Sequence, residues 1–451
     1  PPEVPTLPES TVTRPELISA LKKRVLHQHA GAEATSYAPV ADTMSVTTVT
    51  APPKKKEEAS LMGFLTGRLF NTTTAAGMGG VGKTMMAAAL VRDGEVRAAF
   101  DKICWVSVGQ EPDTGALQQM LYRQLVNKPL PEAAKADEML TLGELKIAAK
   151  DVSVLLVLDD VWVASHSAPL NFIDDSASLS AVVVTTRIRS LLDGATEVQC
   201  GVLSTEASLE LLLRAGSCEH LLDAPPPAAL EAIELCGRLP LALGIAGGII
   251  VELGSSWQAE LCELLKEEFE DSSVEERVVT ASLRAVPEAM RAGVEALFAL
   301  FAIFAEDAIV PDTAIDVVTP LMRLPGSTEP PNKRQARRWL QQLLKANILR
   351  GSAEAGVSVH DLVRDCMIRR AEAAREGGLR ATQRDAVSLL IAAFDAGGPA
   401  AGYVSASLHW HVRQAQQPDA PLHSDGVMMS VLTHESGDVR KQGAIGIGVD
   451  K

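Results

Sequence analysis

One eight-residue run constrains this chain more than any other: Gly77-Met78-Gly79-Gly80-Val81-Gly82-Lys83-Thr84. It fits the pattern G-x-x-x-x-G-K-[ST] at every fixed position, and helix-forming residues follow at 85–90. Glycines at these positions let successive backbone N–H groups curl round phosphate oxygens, and a helix starting at the end of the run points its positive dipole end at the same anion. Lys83 is placed to reach β- and γ-phosphates, and the Thr84 hydroxyl to bind Mg2+. Gly77, Gly79, Gly80, Val81, Gly82, Lys83, Thr84 and Met85 are therefore the candidate phosphate-binding residues. The bland alternative is a glycine-rich turn before a helix. A phosphate loop of this kind hangs from a strand, and residues 65–70 and 72–76 are the two candidates for it.

Over residues 65–216 the chain alternates short apolar runs with helical stretches. Ile-Cys-Trp-Val-Ser-Val at 103–108, Val-Leu-Leu-Val-Leu at 154–158 and Ala-Val-Val-Val-Thr at 181–185 are nearly unbroken. That pattern predicts an α/β domain whose parallel sheet is covered on both faces. Two of the runs end in polar residues, which brings them to the carboxyl edge where open α/β sheets bind ligands. Asp159 and Asp160 end the first, about 75 residues after the glycine-rich loop. Asp159 is expected to hold Mg2+ and Asp160 to orient a water for attack on a γ-phosphate, the two candidate catalytic roles. Thr185-Thr186-Arg187 ends the other, and Arg187 suits a γ-phosphate sensor because its guanidinium is planar and always charged. The alternatives are turn residues closing a strand and a surface arginine. Trp105 and Trp162, beside strand ends, read as core packing.

Composition bounds the rest. A chain of 451 residues corresponds to roughly two to four domains. With 47% hydrophobic and 22% charged residues it is globular rather than disordered, and with 4% aromatics its cores are aliphatic. A net charge of −15 opposes non-specific binding to nucleic acid or anionic membrane, while leaving room for a local basic phosphate pocket. No apolar run approaches the about 20 residues of a membrane span. The chain starts Pro-Pro-Glu, without an initiator Met or a signal peptide, which reads as a fragment or a processed chain. Six scattered cysteines with no Cys-x-x-Cys pair read as reduced thiols in a cytosolic compartment, and no His/Cys group has zinc-ligand spacing.

Along the chain, residues 1–64 combine a helical pattern (Leu17, Leu21, Val25, Leu26) with a Pro/Thr/Ala-rich linker. Residues 217–295 are helical, broken by prolines at 225–227 and Pro240. Residues 296–370 are helix-rich with a short strand at Val357-Ser358-Val359, and 371–451 form an Ala/Gly-rich tail. No fixed-period repeat is present. The basic cluster Lys333, Arg334, Arg337, Arg338 and Lys345 invites a DNA-binding reading but reads better as a solvated helix face, with the acidic stretch 263–276 as a counterpart for it or for another surface.

The ordered series of glycine-rich loop, Leu155-Leu156-Val157-Leu158-Asp159-Asp160-Val161-Trp162 and Val182-Val183-Val184-Thr185-Thr186-Arg187 resembles the NB-ARC family of signal-transduction P-loop ATPases. That family includes plant disease-resistance receptors and animal apoptosome scaffolds. The resemblance covers about residues 65–370. The segment Phe100 to Val108 resembles the one after the family's first helix, and Gly237-Arg238-Leu239-Pro240-Leu241-Ala242 its G-L-P-L-A motif. Phe304-Ala305-Glu306-Asp307 resembles F-P-E-D with Ala305 for Pro, and Val359-His360-Asp361 resembles M-H-D with Val359 for Met. Val12-Thr13-Arg14 resembles the V-G-R lead-in, with Thr13 for Gly.

The resemblance implies a P-loop nucleotide-binding domain at 65–216, an all-helical domain at 217–295 and a winged-helix domain at 296–370. It implies ADP or ATP with Mg2+ as ligand, Val12, Arg14 and Pro240 against the adenine, and His360 on the β-phosphate of ADP. A helix-starting proline and a structural histidine are the plain alternatives, and Asp361 reads as a cap for the helix from Leu362. The activity implied is a cytoplasmic ADP/ATP switch in defence-type signalling, at most a slow ATPase. It would be closed with ADP, self-associate on exchange for ATP, and answer to an unidentified upstream ligand or effector protein, without nucleic acid or a membrane span. The alternative is a catalytic P-loop ATPase with steady turnover. Partitioning ATPases carry a signature Lys where Met78 stands, which argues against them, and intact Lys83, Thr84 and Asp159 argue against a scaffold that binds nothing. The tail 371–451 reads as leading into sensor repeats.

Overall fold

The strand that carries the glycine-rich loop is β1, Thr72–Ala76, and all five of its residues are buried. Three consecutive threonines give no apolar signature, but their β-branched side chains suit extended backbone, and neighbours on both sides do the burying. The computed structural model describes residues 3–5, 7, 11–29, 72–76, 79–110, 112–135, 137–173, 180–192, 194–266, 273–305, 308–327, 329–374 and 377–416. The other candidate strand, 65–70, lies outside them, as do most of the linker and residues 417–451. The chain divides into two compact units, Pro1–Leu203 and Ser204–Lys451.

In the first unit, β1 joins β2 (Lys102–Gly109), β3 (Val154–Val161), β4 (Ala181–Thr186) and β5 (Thr196–Gln199). The order is β2-β3-β4-β1-β5 and every neighbouring pair is parallel. The helices are α1 (Pro15–His29), α2 (Lys83–Leu90), α3 (Gly94–Ala99), α4 (Thr114–Val126), α5 (Glu138–Ala149) and the single turn α6 (Ala164–Ser167). Asp93, Asp113 and Asp137 cap α3, α4 and α5, the carboxylates of Asp93 and Asp137 each accepting from two backbone N–H groups of the first turn and that of Asp113 from one. Val106, Leu156, Leu158, Val182 and Val184 from the sheet and Leu121 and Leu145 from the helices share one buried cluster. Leu17, Leu21 and Val25 bury the predicted face of α1, which packs on α2, α3 and β4.

The second unit holds α7 (Thr205–Ala215), α8 (Pro227–Leu235), α9 (Pro240–Leu253), α10 (Trp257–Lys266), α11 (Val274–Ala285), α12 (Glu288–Leu300), α13 (Asp312–Val318) and α14 (Lys333–Lys345). The antiparallel hairpin β6 (Leu349–Ser352) and β7 (Gly356–Val359) follows, and Val310 bridges to Val357. After it come α15 (Asp361–Ala374), α16 (Gly378–Asp395) and α17 (Ala401–Ala415). The break between units falls before α7 rather than at 216/217. The reason is close packing: Gly247 of α9 lies so near α7 that a Cβ there would come within 2.9 Å of the Gly216 amide nitrogen.

Three sequence expectations change here. The region after 370 is not a weakly patterned tail as far as Ala415. It is the end of α15 and two further helices, α16 packing on α13, α15 and α17. His411, fully buried, hydrogen-bonds the Gln383 side chain (2.6 Å) and the Tyr403 hydroxyl (2.9 Å), and burial pushes its pKa down to about 4. Phe304 packs its ring edge-on against both Tyr403 and His411. Second, the basic cluster of α14 is not wholly left to solvent and finds acids in Asp312, Asp316 and Glu252. Lys333 pairs with Asp316 (3.2 Å), Arg337 with Asp312 (3.1 Å) and Lys345 with Glu252 (2.7 Å), while Glu276 pairs with Arg369. Third, among the described residues Pro240–Lys266 is long and apolar enough by composition to cross a membrane. Within it α9 is buried at nine of fourteen positions and packs on α7 and α11, as a core helix does.

Candidate functional site

The loop between β1 and α2 stands at the carboxyl edge of the sheet. Gly77 and Met78 lie outside the described residues. Gly80 (φ +72°) and Gly82 (φ +89°) occupy the left-handed region, which a Cβ would strain and which turns the backbone amides inward. Val81 is buried between them. Lys83 opens α2 and is only 7% exposed. Burial, and then the charge of Arg187, lower its pKa to about 8, while the carboxylates of Asp160 and Asp159 pull the other way. A cation held at that cost has an anion-binding role to offer.

Thr84, in the first turn of α2, donates to Asp159 Oδ1 at 3.0 Å, joining residues 75 apart in the chain. Asp159 is 2% exposed at the end of β3. The Thr185 hydroxyl, at the end of β4, donates to the same oxygen (2.5 Å) and accepts from the Asp160 N–H (2.8 Å). Asp160 adopts a left-handed φ of +55°, and its carboxylate accepts from Trp162 Nε1 at 2.8 Å. Arg187 Nε stands 3.7 Å from Asp160 Oδ1 and its guanidinium 4.8 Å above the Trp162 ring. Trp105 is core packing, as read from the sequence. Trp162 is not: its indole N–H fixes Asp160 and its face supports Arg187. Trp162 and Thr185 are the residues to which sequence reasoning gave no role in the site, although both lay inside quoted motifs.

The lead-in segment also reaches the loop. Val12 is buried, and the buried guanidinium of Arg14 donates to the carbonyls of Val81 (3.3 Å) and Val202 (3.2 Å), pinning the glycine-rich loop to the irregular segment after β5. Burial holds the Arg14 pKa below its ordinary value. Beside this contact a cavity of about 250 Å³ is lined by Ala76, Val81, Arg189, Gln199, Cys200, Gly201 and Val202.

Pro240 and His360 belong to the second unit. Pro240 is the first residue of α9, where its missing N–H costs nothing, and it follows Gly237 (φ +58°) and Arg238 (φ +53°), which end α8. His360 precedes α15 and its carbonyl accepts from the Val363 and Arg364 amides, so His360 rather than Asp361 holds the cap position. Asp361 is the first helical residue, and its Oδ1 accepts from Leu362 N–H (2.7 Å) and lies 2.5 Å from His360 Nδ1. Phe304 is buried, and Glu306 and Asp307 lie outside the described residues.

Residues 55–220 match the model of the NB-ARC domain. The chain carries an NB-ARC domain. Its P-loop, β3 aspartates and Thr185-Thr186-Arg187 all fall inside the match. The chain is 26% identical over 313 residues to Putative disease resistance RPP13-like protein 3 of Arabidopsis thaliana, covering 66% of this chain and 37% of that protein. It is 28% identical over 267 residues to Apoptotic protease-activating factor 1 of Danio rerio, covering 54% of this chain and 20% of that protein. The chain thus spans well under half the length of these relatives. Among solved structures, a Signal Transduction ATPase with Numerous Domains (STAND) protein with a tetratricopeptide repeat sensor from Pyrococcus horikoshii superposes with a TM-score of 0.56 at 14% identity, over 97% of this chain and 52% of that one. The NB-ARC domain here has the P-loop NTPase fold, with a parallel sheet followed by helical segments, and its family binds nucleotide.

The residues present fit Mg2+. Thr84 and Asp159 offer a hydroxyl and a carboxylate oxygen within 3.0 Å of each other, the hard donors Mg2+ selects. Among the described residues no group of three or more His, Cys, Asp or Glu is arranged to hold a metal.

Proposed function

We propose that the chain is an adenine-nucleotide switch in signalling, closed with ADP and self-associating once ATP replaces it. The observation that carries this reading is the Thr84–Asp159 hydrogen bond beside a desolvated Lys83: two distant motifs meet where a phosphate-bound Mg2+ requires them. The printed names of the relatives, disease resistance and apoptotic protease activation, support signalling rather than metabolism. All six cysteines are free thiols, which fits the reducing cytoplasm.

In this reading Lys83, the Gly80 and Gly82 backbone and the α2 N-terminus bind the β-phosphate. Thr84 and Asp159 hold Mg2+, which neutralises phosphate charge when bound. Val12, Arg14 and Pro240 hold the adenine, and His360 contacts the β-phosphate of ADP. Residues 296–370 act as a winged helix that moves with the exchange. Asp160 orients the attacking water, but Trp162 and Arg187 already engage its carboxylate. A γ-phosphate competes for Arg187 and loosens that grip, so hydrolysis is slow and depends on the third phosphate. The two states must differ in nucleotide affinity by a few kcal/mol for the exchange to move the equilibrium.

Nucleotide released from the natively purified protein by acid and counted by chromatography tests the reading. About one ADP per chain is expected, and protein that neither carries nor binds adenine nucleotide would overturn it. Turnover of many ATP per second would favour a catalytic ATPase instead.

The pKa of Lys83 near 8 adds a pH dependence. A bound phosphate favours the charged amine and raises its pKa, so binding takes up a proton wherever the amine alone is partly deprotonated. Nucleotide affinity is expected to be flat below about pH 8 and to fall by about tenfold per pH unit above it. Calorimetry at pH 8.5 in buffers of different ionisation enthalpy should register the proton uptake.

A further inference from the structure

Helix α5 leaves one side uncovered. Met139 is 78% exposed, Ile147 70% and Leu140 56%, although all three are large and apolar. At about 100° per residue, positions 139, 140, 143 and 147 fall within about 100° of the helix circumference, opposite the buried Thr141 and Leu145. Gly143 lies in the middle of this strip, and a Cβ placed there would meet nothing within 4 Å. Large apolar side chains gathered on the exposed side of one helix mark a contact surface rather than ordinary scatter.

The layout selects the partner. Met139 and Ile147 stand four residues to either side of Gly143. Exposed Asp137 and Glu138 mark the amino end of the helix, and exposed Lys146 and Lys150 the carboxyl end. A second copy of α5 laid antiparallel sets Ile147 on the other chain's Met139, brings the backbones together at Gly143, and faces each acidic end with a basic one. Parallel pairing would set like charges side by side. Opposed helix dipoles favour the antiparallel arrangement as well. We infer that α5 is a homodimer face, pairing with itself about a two-fold axis through Gly143. Such an isologous contact closes at two copies, so it is separate from any larger assembly driven by ATP. One helix per chain falls short of the about 800 Å² per partner typical of stable complexes, so the dimer is weak and concentration-dependent.

Sedimentation velocity of the full chain over rising concentration, with and without ADP, tests this. A monomer–dimer equilibrium is expected under both conditions. Ile147→Asp and Met139→Lys, each at an exposed position, are expected to weaken it by about tenfold or more, because each buries an unpaired charge. Mixing the two variants is expected to restore pairing, since Asp at 147 of one chain then faces Lys at 139 of the other and Met139 faces Ile147 at the second contact. A chain monomeric at every concentration, single variants that dimerise like the parent, or a mixture that fails to recover would each overturn the inference. ADP content and circular dichroism of the variants should match the parent, which separates this result from any failure of the nucleotide reading.

Discussion

Lys83→Ala is expected to lower affinity for ADP and ATP by about thirtyfold or more and to strip the protein of nucleotide carried through purification. Removing one partner of a desolvated charge pair costs about 2–5 kcal/mol, and Lys83 sits buried at the first turn of α2 facing the loop. Its stability should move the other way. The folded protein holds this amine at a pKa near 8, below its ordinary 10.5, so at pH 7 the fold bears the cost of a desolvated ammonium. That cost is full below about pH 8 and fades as the pH rises towards the unfolded value. Lys83→Ala should therefore unfold at an equal or higher urea concentration than the parent at pH 7. Equilibrium titration with a fluorescent adenine nucleotide reads the first effect and urea denaturation the second. Unchanged affinity with a normal unfolding curve would remove Lys83 from the site.

Gly293→Ala should be among the most damaging single-methyl changes in the second unit. A Cβ at Gly293 would fall within the indole of Trp339, which anchors the buried side of α14 against α12. The ring cannot move outward without exposing Ala336, Leu340 and Leu343 beside it, so overpacking of about 1–3 kcal/mol is expected. The double variant Gly293→Ala/Trp339→Leu should be less destabilised than the sum of the two single changes, because the shorter side chain vacates the space the methyl needs. Chemical denaturation of the four proteins measures the coupling. A Gly293→Ala protein within about 0.5 kcal/mol of the parent, the range of ordinary surface changes, would show that the α12–α14 contact yields freely.

Much of this site is written locally. Gly80 and Gly82 stand where positive φ is needed, Lys83 and Thr84 follow them directly, and the aliphatic runs before Asp159 and Thr185 are the strands that carry those residues to the sheet edge. The sequence signal was weakest where the decisive contact is remote. Arg14 stood about 60 residues from the loop with an unhelpful Thr13 beside it, yet its guanidinium holds the Val81 carbonyl. Trp162 looked like packing because an indole after an apolar run usually is, whereas its N–H engages Asp160. The stretch after 370 looked weakly patterned because alanine and glycine carry little periodic signal, although α16 and α17 bury Gln383, Leu390, Val404, Leu408 and His411.

The sequence by itself determined the phosphate chemistry, the parallel α/β character and the order of the motifs, since each depends on residues that are neighbours in the chain. Only the tertiary structure decided that Thr72–Ala76 is the strand bearing the loop, because its burial comes from β4 and β5 rather than from its own hydrophobicity. It also decided that Thr84, Asp159 and Thr185 share one carboxylate oxygen, and that Arg187 rests between Asp160 and Trp162. Such partnerships form across the sheet edge, where strand order and side-chain packing choose neighbours that no local pattern encodes.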